Sequence, residues 1–98
     1  MQIIARRTLK QFWEHHPNAE LPLRLWYARV KAAQWSNPAD VKDGFGGSVD
    51  FIGDNRIIFN IGGNKFRLIV HVAYAYGRVL VKFIGTHKEY DAINAETV

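Results

Sequence analysis

Three apolar runs in the second half of the chain are separated by short turns, and this pattern restricts the fold more than any other feature. The runs cover residues 56–61, 65–74 and 79–84, and glycine-containing turns lie between them. β-Branched and aromatic residues dominate the runs, as they do in strands. Because connections this short join antiparallel neighbours, the sequence predicts an antiparallel meander, preceded by another strand over residues 49–52.

The first half of the chain predicts two helices. Within residues 6–16 the apolar residues recur at helical spacing, and Pro17 follows them. A second helix opens near Asn18 or Glu20, and its apolar residues follow the i, i+3, i+4, i+7 spacing of a buried face. These residues are Leu23, Trp26, Tyr27 and Val30.

The rest of the chain completes the predicted fold. A short apolar stretch at residues 2–4 predicts an edge strand, residues 36–40 a turn or a single helical turn, and residues 43–48 a loop. Neither a change in composition nor an internal repeat marks a boundary, so one domain is expected over residues 1–98. The predicted fold class is α+β, with two N-terminal helices packed on one face of a twisted, mainly antiparallel sheet.

Composition excludes several kinds of site. The chain has no cysteine, which excludes both a disulfide framework and a thiolate zinc site. His15 and His16 are adjacent on a predicted helix and point in different directions, so they are poor joint ligands; no metal or other cofactor is expected. No stretch approaches the roughly 20 apolar residues that span a bilayer. We therefore expect a cytoplasmic protein without a membrane partner.

The positive charge is concentrated in one region. The formal net charge is +4, and no Asp or Glu occurs from Asn55 through Lys88. Such a region is the electrostatic footprint expected of a nucleic-acid-binding surface. The alternative is a solvated basic sheet edge that resists aggregation. The cations and histidines of this region are Arg56, Lys65, Arg67, Arg78, Lys82, Lys88, His71 and His87.

Alternation along the strands assigns these side chains to faces of the predicted sheet. The apolar set, which is expected to contact the helices, comprises Phe66, Leu68, Val70, Val72 and Tyr74 of one strand and Val79, Val81 and Phe83 of the next. The opposite face then carries Arg67, His71, Leu80, Lys82 and Ile84. Arg67 and Lys82, on neighbouring strands of an exposed face, predict a site for a phosphate. His71, in mid-strand, is more simply explained as a hydrogen-bonded structural histidine.

The sequence FIGTHKEYD at residues 83–91 predicts a short C-terminal helix. Thr86 and Glu89 match the capping box of a helix start. His87 would then open the helix beside the end of the last strand, and Tyr90 would follow one turn later. The positive end of the helix dipole and the neighbouring lysines favour the neutral imidazole that a general base requires. The predicted site, metal-free and suited to a phosphodiester, combines Arg67, Lys82, His87 and Tyr90.

Two segments resemble the motifs of HigB-type toxins in the RelE-like superfamily. They are IFNIGGNKFRLIV at residues 58–70 and FIGTHKEYD at residues 83–91, and the helical half agrees with the family in length and order. The resemblance implies a RelE-like fold and an endoribonuclease that cleaves mRNA, usually in the ribosomal A site. It also implies inhibition by a cognate helix-turn-helix antitoxin of the HigA type. In this superfamily the ribose 2′-hydroxyl attacks the adjacent phosphate without a metal ion, leaving a 2′,3′-cyclic phosphate and a 5′-hydroxyl.

The resemblance also implies roles for four residues. Arg67 matches the sheet arginine that contacts the scissile phosphate, and His87 falls where members place a catalytic His or Arg. Tyr90 matches a C-terminal aromatic residue that stacks or assists proton transfer. Lys82 lies where relatives often have Arg. Its compact ammonium group therefore replaces a guanidinium that could bind a phosphate through two parallel hydrogen bonds. The remaining candidate RNA contacts from the basic region are Lys65, His71, Arg78 and Lys88.

Two other functions fit the same residues. One is a non-catalytic module that binds RNA or the ribosome through its cations without using the imidazole. The other is an inactive toxin homologue that is retained as a partner or repressor component. The sequence favours an active mRNA endoribonuclease over both.

Overall fold

Five strands form one mixed sheet in the computed structural model, which describes residues 1–98. Their spatial order is β1-β5-β4-β3-β2. The first strand pairs in parallel with the last, and every other neighbouring pair is antiparallel. The predicted edge strand and antiparallel meander are therefore confirmed. In chain order the strands are β1 (Gln2–Ile4), β2 (Val49–Ile52), β3 (Arg56–Ile61), β4 (Phe66–Ala73) and β5 (Arg78–Thr86).

Four α-helices accompany the sheet. They are α1 (Arg6–His15), α2 (Glu20–Ala32), α3 (Pro38–Phe45) before the second strand, and α4 (His87–Asp91) after the last. Residues of α1 and α2 share a core with one face of the sheet, which confirms the predicted α+β class. No helix in the structure is both long and apolar enough to cross a membrane.

Helix α3 is longer than expected, because it includes residues 43–45, which the sequence predicted as loop. Asn37 caps its start by accepting a backbone N–H hydrogen bond at 3.1 Å. At its other end Phe45 packs edge-on against Phe59, with 4.9 Å between the ring centroids. Packing on the core thus carries the helix through Gly44, whose poor helix propensity had indicated a loop.

One hydrophobic core lies between the N-terminal helices and the sheet. Phe59 of β3 lies within an aromatic cluster: its ring centroid is 5.4 Å from that of Trp26, 4.9 Å from that of Phe45 and 6.4 Å from that of Trp35. Removing this apolar surface from water is the main driving force for folding. The fully buried members of the core include Leu9, Leu23, Val30, Leu68, Val70, Val72 and Val79.

A β-bulge in β5 changes which side chains share a face. Ile69 of β4 pairs with Phe83, whereas the next position of β4 pairs with Val81, so Lys82 has no partner across the ladder. Beyond this point the alternation is shifted by one residue: Phe83 shares the face of Ile69, away from the helices, and Ile84 packs against the core. The prediction for these two side chains was wrong, because strict alternation does not allow for an extra residue.

The outer face of the sheet, defined as the face away from α1 and α2, is partly covered by the last residues of the chain. Arg56 lies on it and is only 9% exposed. Its Nη1 donates hydrogen bonds to the backbone oxygens of Val98 at 2.7 Å and of Ala95 at 3.4 Å. Ile58 and Ile69 are buried on the same face, outside the helix-side core. Arg56 therefore anchors the C-terminal segment and is not available to an external anion.

Helix α4 starts with the predicted capping box. The backbone N–H of Thr86 donates to Glu89 Oε1 at 2.8 Å, and the N–H of Glu89 donates to Thr86 Oγ1 at 3.2 Å. The first bond is the main reason why the pKa of the Glu89 carboxyl lies below its ordinary value. Burial opposes this shift, while the Thr86 side chain and the positive charge of His16 reinforce it. The expected helix start is confirmed.

We predict that Phe59→Ala lowers the free energy of unfolding by about 3–5 kcal/mol, because it leaves a cavity in the aromatic cluster. The matched control is Phe51→Ala, since Phe51 is 41% exposed on the edge strand β2. The control should lose no more than about 1 kcal/mol. Urea denaturation followed by circular dichroism measures both; equal losses would contradict the assigned core.

We predict a pH-dependent difference in stability between the wild type and Glu89→Gln. Glutamine can still accept the Thr86 hydrogen bond, so the comparison isolates the charge. Because folding lowers the pKa of Glu89, the ionised form stabilises the wild type above the ordinary glutamate value of 4.5. That advantage should be present at pH 7 and vanish as the pH falls through the lower, folded-state pKa. Denaturation curves measured between pH 7 and pH 3 test this; a difference that does not change with pH would count against it.

Candidate active site

The register of β4 and β5 brings α4 to the edge of the outer face. Phe66, the first residue of β4, pairs with Thr86, the last residue of β5, and Arg67 pairs with Gly85. The chain then turns directly into α4, whose residues contact both strands. The short helix therefore contacts the end of the sheet that carries Arg67.

Arg67 and Tyr90 are in contact. The guanidinium carbon lies 5.9 Å from the centroid of the Tyr90 ring, within cation–π range. Only Nη1 bonds to the chain, with long hydrogen bonds to the backbone oxygens of Asn64 at 3.4 Å and Phe66 at 3.5 Å. The one ion pair of the structure joins Arg24 and Glu20 on α2, so no carboxylate pairs with Arg67. Most of the guanidinium donors are therefore free to bind an anion.

His87 is the first residue of α4, and its side chain is exposed and makes no hydrogen bond to the chain. It precedes Tyr90 by three residues, so the two side chains lie one helical turn apart on a similar face. Lys88 is exposed on the same helix, and Lys65 is exposed in the turn just before β4, at the same end of the sheet. The structure thus brings His87 and Lys65 to the end of the sheet that carries the Arg67–Tyr90 contact, whereas Lys88, two residues before Tyr90, faces another side of the helix.

Lys82 is more distant from this contact than the sequence indicated. It is the unpaired residue of the bulge, three positions before Gly85, which corresponds to about 10 Å along a strand. Its side chain is exposed and has no ion-pair partner. The ammonium group, on a flexible four-carbon stem, can supply positive charge near the site but does not share a fixed position with Arg67.

Two predicted RNA contacts lie away from this cluster. His71 is four residues from Arg67 on β4, or about 13 Å along the strand, and the fully buried Ile69 lies between them. Arg78 is the first residue of β5, at the opposite end of that strand from α4. Its guanidinium carbon instead lies 5.8 Å from the ring centroid of Tyr76. Neither side chain can contact the same phosphodiester as Arg67.

Sequence reasoning missed Phe83, which it assigned to the core. The bulge places its partly exposed ring on the outer face with Arg67. A signal for this was present, because an isolated glycine inside a strand pattern, here Gly85, often marks a bulge or a close contact. A Cβ atom at Gly85 would lie 2.5 Å from Phe83 Cζ and 3.1 Å from Glu89 Cβ. Glycine is therefore needed where β5, Phe83 and α4 converge.

The candidate site is an open surface rather than a cavity. The pocket in the structure, about 130 Å³, lies on the helix side, between α2 and β3, and contains none of the predicted site residues. No group of three or more His, Asp or Glu side chains is arranged to hold a metal ion. An exposed guanidinium, an imidazole and flanking lysines suit an extended anionic polymer better than a small enclosed ligand.

Comparison with known proteins identifies the family. The family model HigB_toxin, described as the RelE-like toxic component of a toxin–antitoxin system, matches residues 19–93. A protein named mRNA interferase HigB from Escherichia coli O6:H1 is 29% identical over 94 residues, which cover 95% of this chain and 91% of that protein. The mRNA interferase toxin HigB of Escherichia coli K12 is 27% identical over 96 residues, covering 97% and 92% respectively. The chain therefore belongs to the HigB toxin family, the RelE-like toxic component of a toxin–antitoxin system.

Proposed function

We propose that this chain is an endoribonuclease that cleaves mRNA with its own side chains and thereby inhibits translation. The observation that carries the proposal is the contact between Arg67 and Tyr90, beside which the capped helix holds His87. A cation with free donors, next to an exposed imidazole on a basic surface, is suited to a phosphodiester. The relatives named mRNA interferases support RNA as the substrate.

The proposed reaction is a transesterification within the RNA. His87 accepts the proton of the ribose 2′-hydroxyl, and the 2′-oxygen forms a bond to the adjacent phosphorus. The bond from phosphorus to the 5′-oxygen of the next nucleotide then breaks, and that oxygen takes a proton from water reaching the open surface. The products are a 2′,3′-cyclic phosphate and a 5′-hydroxyl. Arg67, assisted by the charge of Lys82, stabilises the extra negative charge on the phosphorane.

The remaining residues bind and orient the RNA. Lys65 and Lys88, exposed at the same end of the sheet, contact phosphates flanking the one that is cleaved. Tyr90 holds the Arg67 guanidinium through its ring. Arg78 and His71 either contact more distant nucleotides or have structural roles.

We also propose the setting in which the enzyme acts. As a toxin of this family it is held inactive by an antitoxin, which we propose is a HigA-like helix-turn-helix protein. Its substrate is mRNA on the ribosome, which places the activity in the cytoplasm. The chain acts as a single domain over residues 1–98.

We predict that His87→Ala slows mRNA cleavage by about 10²–10⁴-fold, the usual effect of losing a general acid–base group. Arg67→Ala should cost about 10²–10³-fold through lost charge stabilisation. His15→Ala and Arg7→Ala, exposed on α1, are the chemically matched controls and should retain wild-type rates. Rates come from single-turnover cleavage of a defined mRNA in a reconstituted translation system, and circular dichroism verifies each fold.

Mapping new 5′ ends by primer extension separates this proposal from its alternatives. An RNA- or ribosome-binding module would bind without producing new ends, and an inactive homologue would not inhibit growth when expressed without its antitoxin. Wild-type rates for both site variants would show that the assigned residues are wrong.

We predict that Tyr90→Phe retains cleavage within about 10-fold of the wild type, whereas Tyr90→Ala loses more. The reason is that the ring, which both Tyr and Phe provide, makes the cation–π contact with Arg67. The same single-turnover assay measures both variants. Equal losses would assign the hydroxyl, rather than the ring, to the reaction.

A further inference from the structure

Phe83 presents an aromatic ring on the outer face with no partner of its own kind. Its pairing with Ile69 sets it on that face, it is outside the helix-side core, and it is half-buried. None of the aromatic pairs and none of the cation–π contacts in the structure involves it. Its partly exposed ring therefore has no aromatic or cationic partner within the chain.

The ring leans along β5 toward the candidate active site. A Cβ atom at Gly85 would lie 2.5 Å from Phe83 Cζ and 2.9 Å from Cε2, so the ring edge occupies the space that a side chain would fill. Gly85 stands directly opposite Arg67. The far end of the Phe83 ring thus lies across the strand pair from the residue that we assign to the scissile phosphate.

The surroundings indicate which kind of group the ring receives. Arg67 and its contact with Tyr90 lie on one side of the position, and the exposed Lys82 precedes Phe83 in the bulge. An aromatic face next to cations is the combination that single-stranded nucleic acids use, since phosphates meet the charges and bases stack on the ring. A purely apolar partner would leave these cations without counter-charges.

We propose that Phe83 is a stacking platform for the base next to the scissile phosphate and therefore influences where the RNA is cut. This inference rests on the proposed function. It adds a residue that determines specificity by binding an unpaired base. The bulge at Lys82 places the ring on the outer face, where a base can reach it. Stacking accepts any base but favours larger ring systems, so the expected preference is graded rather than absolute.

The test compares Phe83→Leu, which keeps an apolar side chain without a ring, with Phe83→Tyr, which keeps the ring. A defined mRNA is translated in a reconstituted system, and both the cleavage rate and the positions of the new 5′ ends are measured. Phe83→Leu should cleave about 10-fold more slowly or worse, from the loss of one stacked base, and show a weaker base preference beside the cut. Phe83→Tyr should match the wild type in rate and position.

The matched control is Phe51→Leu, because Phe51 is also an exposed aromatic residue but lies on the edge strand β2. It should behave as the wild type. A Phe83→Leu protein with wild-type rate and positions would overturn the inference. So would equal losses of activity and thermal stability in Phe83→Leu and Phe83→Tyr, because the ring that Phe83→Tyr retains would then not be what the reaction uses. If the wild type itself produces no new ends, the proposed function fails, and the inference fails with it.

Discussion

The pairing of β4 with β5 connects the hydrophobic core to the candidate active site. On one face of β4, Leu68 and Val70 are fully buried against the helices, so the strand has little freedom to shift or rotate. Arg67 alternates with them and emerges on the outer face, opposite Gly85. A functional side chain on a buried strand is positioned more accurately than one on a loop. The same pairing delivers Thr86, and with it α4, to the edge of that face.

Two local devices then shape the outer face. The bulge at Lys82 shifts the alternation of β5, so that Phe83 joins Arg67 instead of the core. The capping box starts α4 directly after β5, and the helix contacts both β4 and β5. Because α4 has only five residues, it depends on this cap and on packing rather than on helix propensity. The chemistry proposed for His87 and Tyr90 therefore depends on backbone features as much as on the residues themselves.

Features with a local signal were predictable from the sequence, and features set by distant contacts were not. The strands, the two N-terminal helices and the capping box follow from periodicity and short motifs. The bulge does not, because an extra residue leaves the apolar character of the strand unchanged. Gly85 was the one residue that indicated it. The burial of Arg56 was equally hidden, since its partners Ala95 and Val98 are about 40 residues away in the chain. The basic region was recognised, but its members divide into a cluster around Arg67 and others placed elsewhere.

The chemistry of the RNA ends tests most directly whether this chain's own side chains activate the ribose hydroxyl. Cleaved mRNA can be analysed before and after phosphatase and kinase treatment of the fragments. The proposed reaction predicts 5′-hydroxyl and 2′,3′-cyclic phosphate ends, and no cleavage where the attacking nucleotide is replaced by its 2′-deoxy form. Fragments with 5′-phosphate and 3′-hydroxyl ends, or cutting at the 2′-deoxy position, would contradict it.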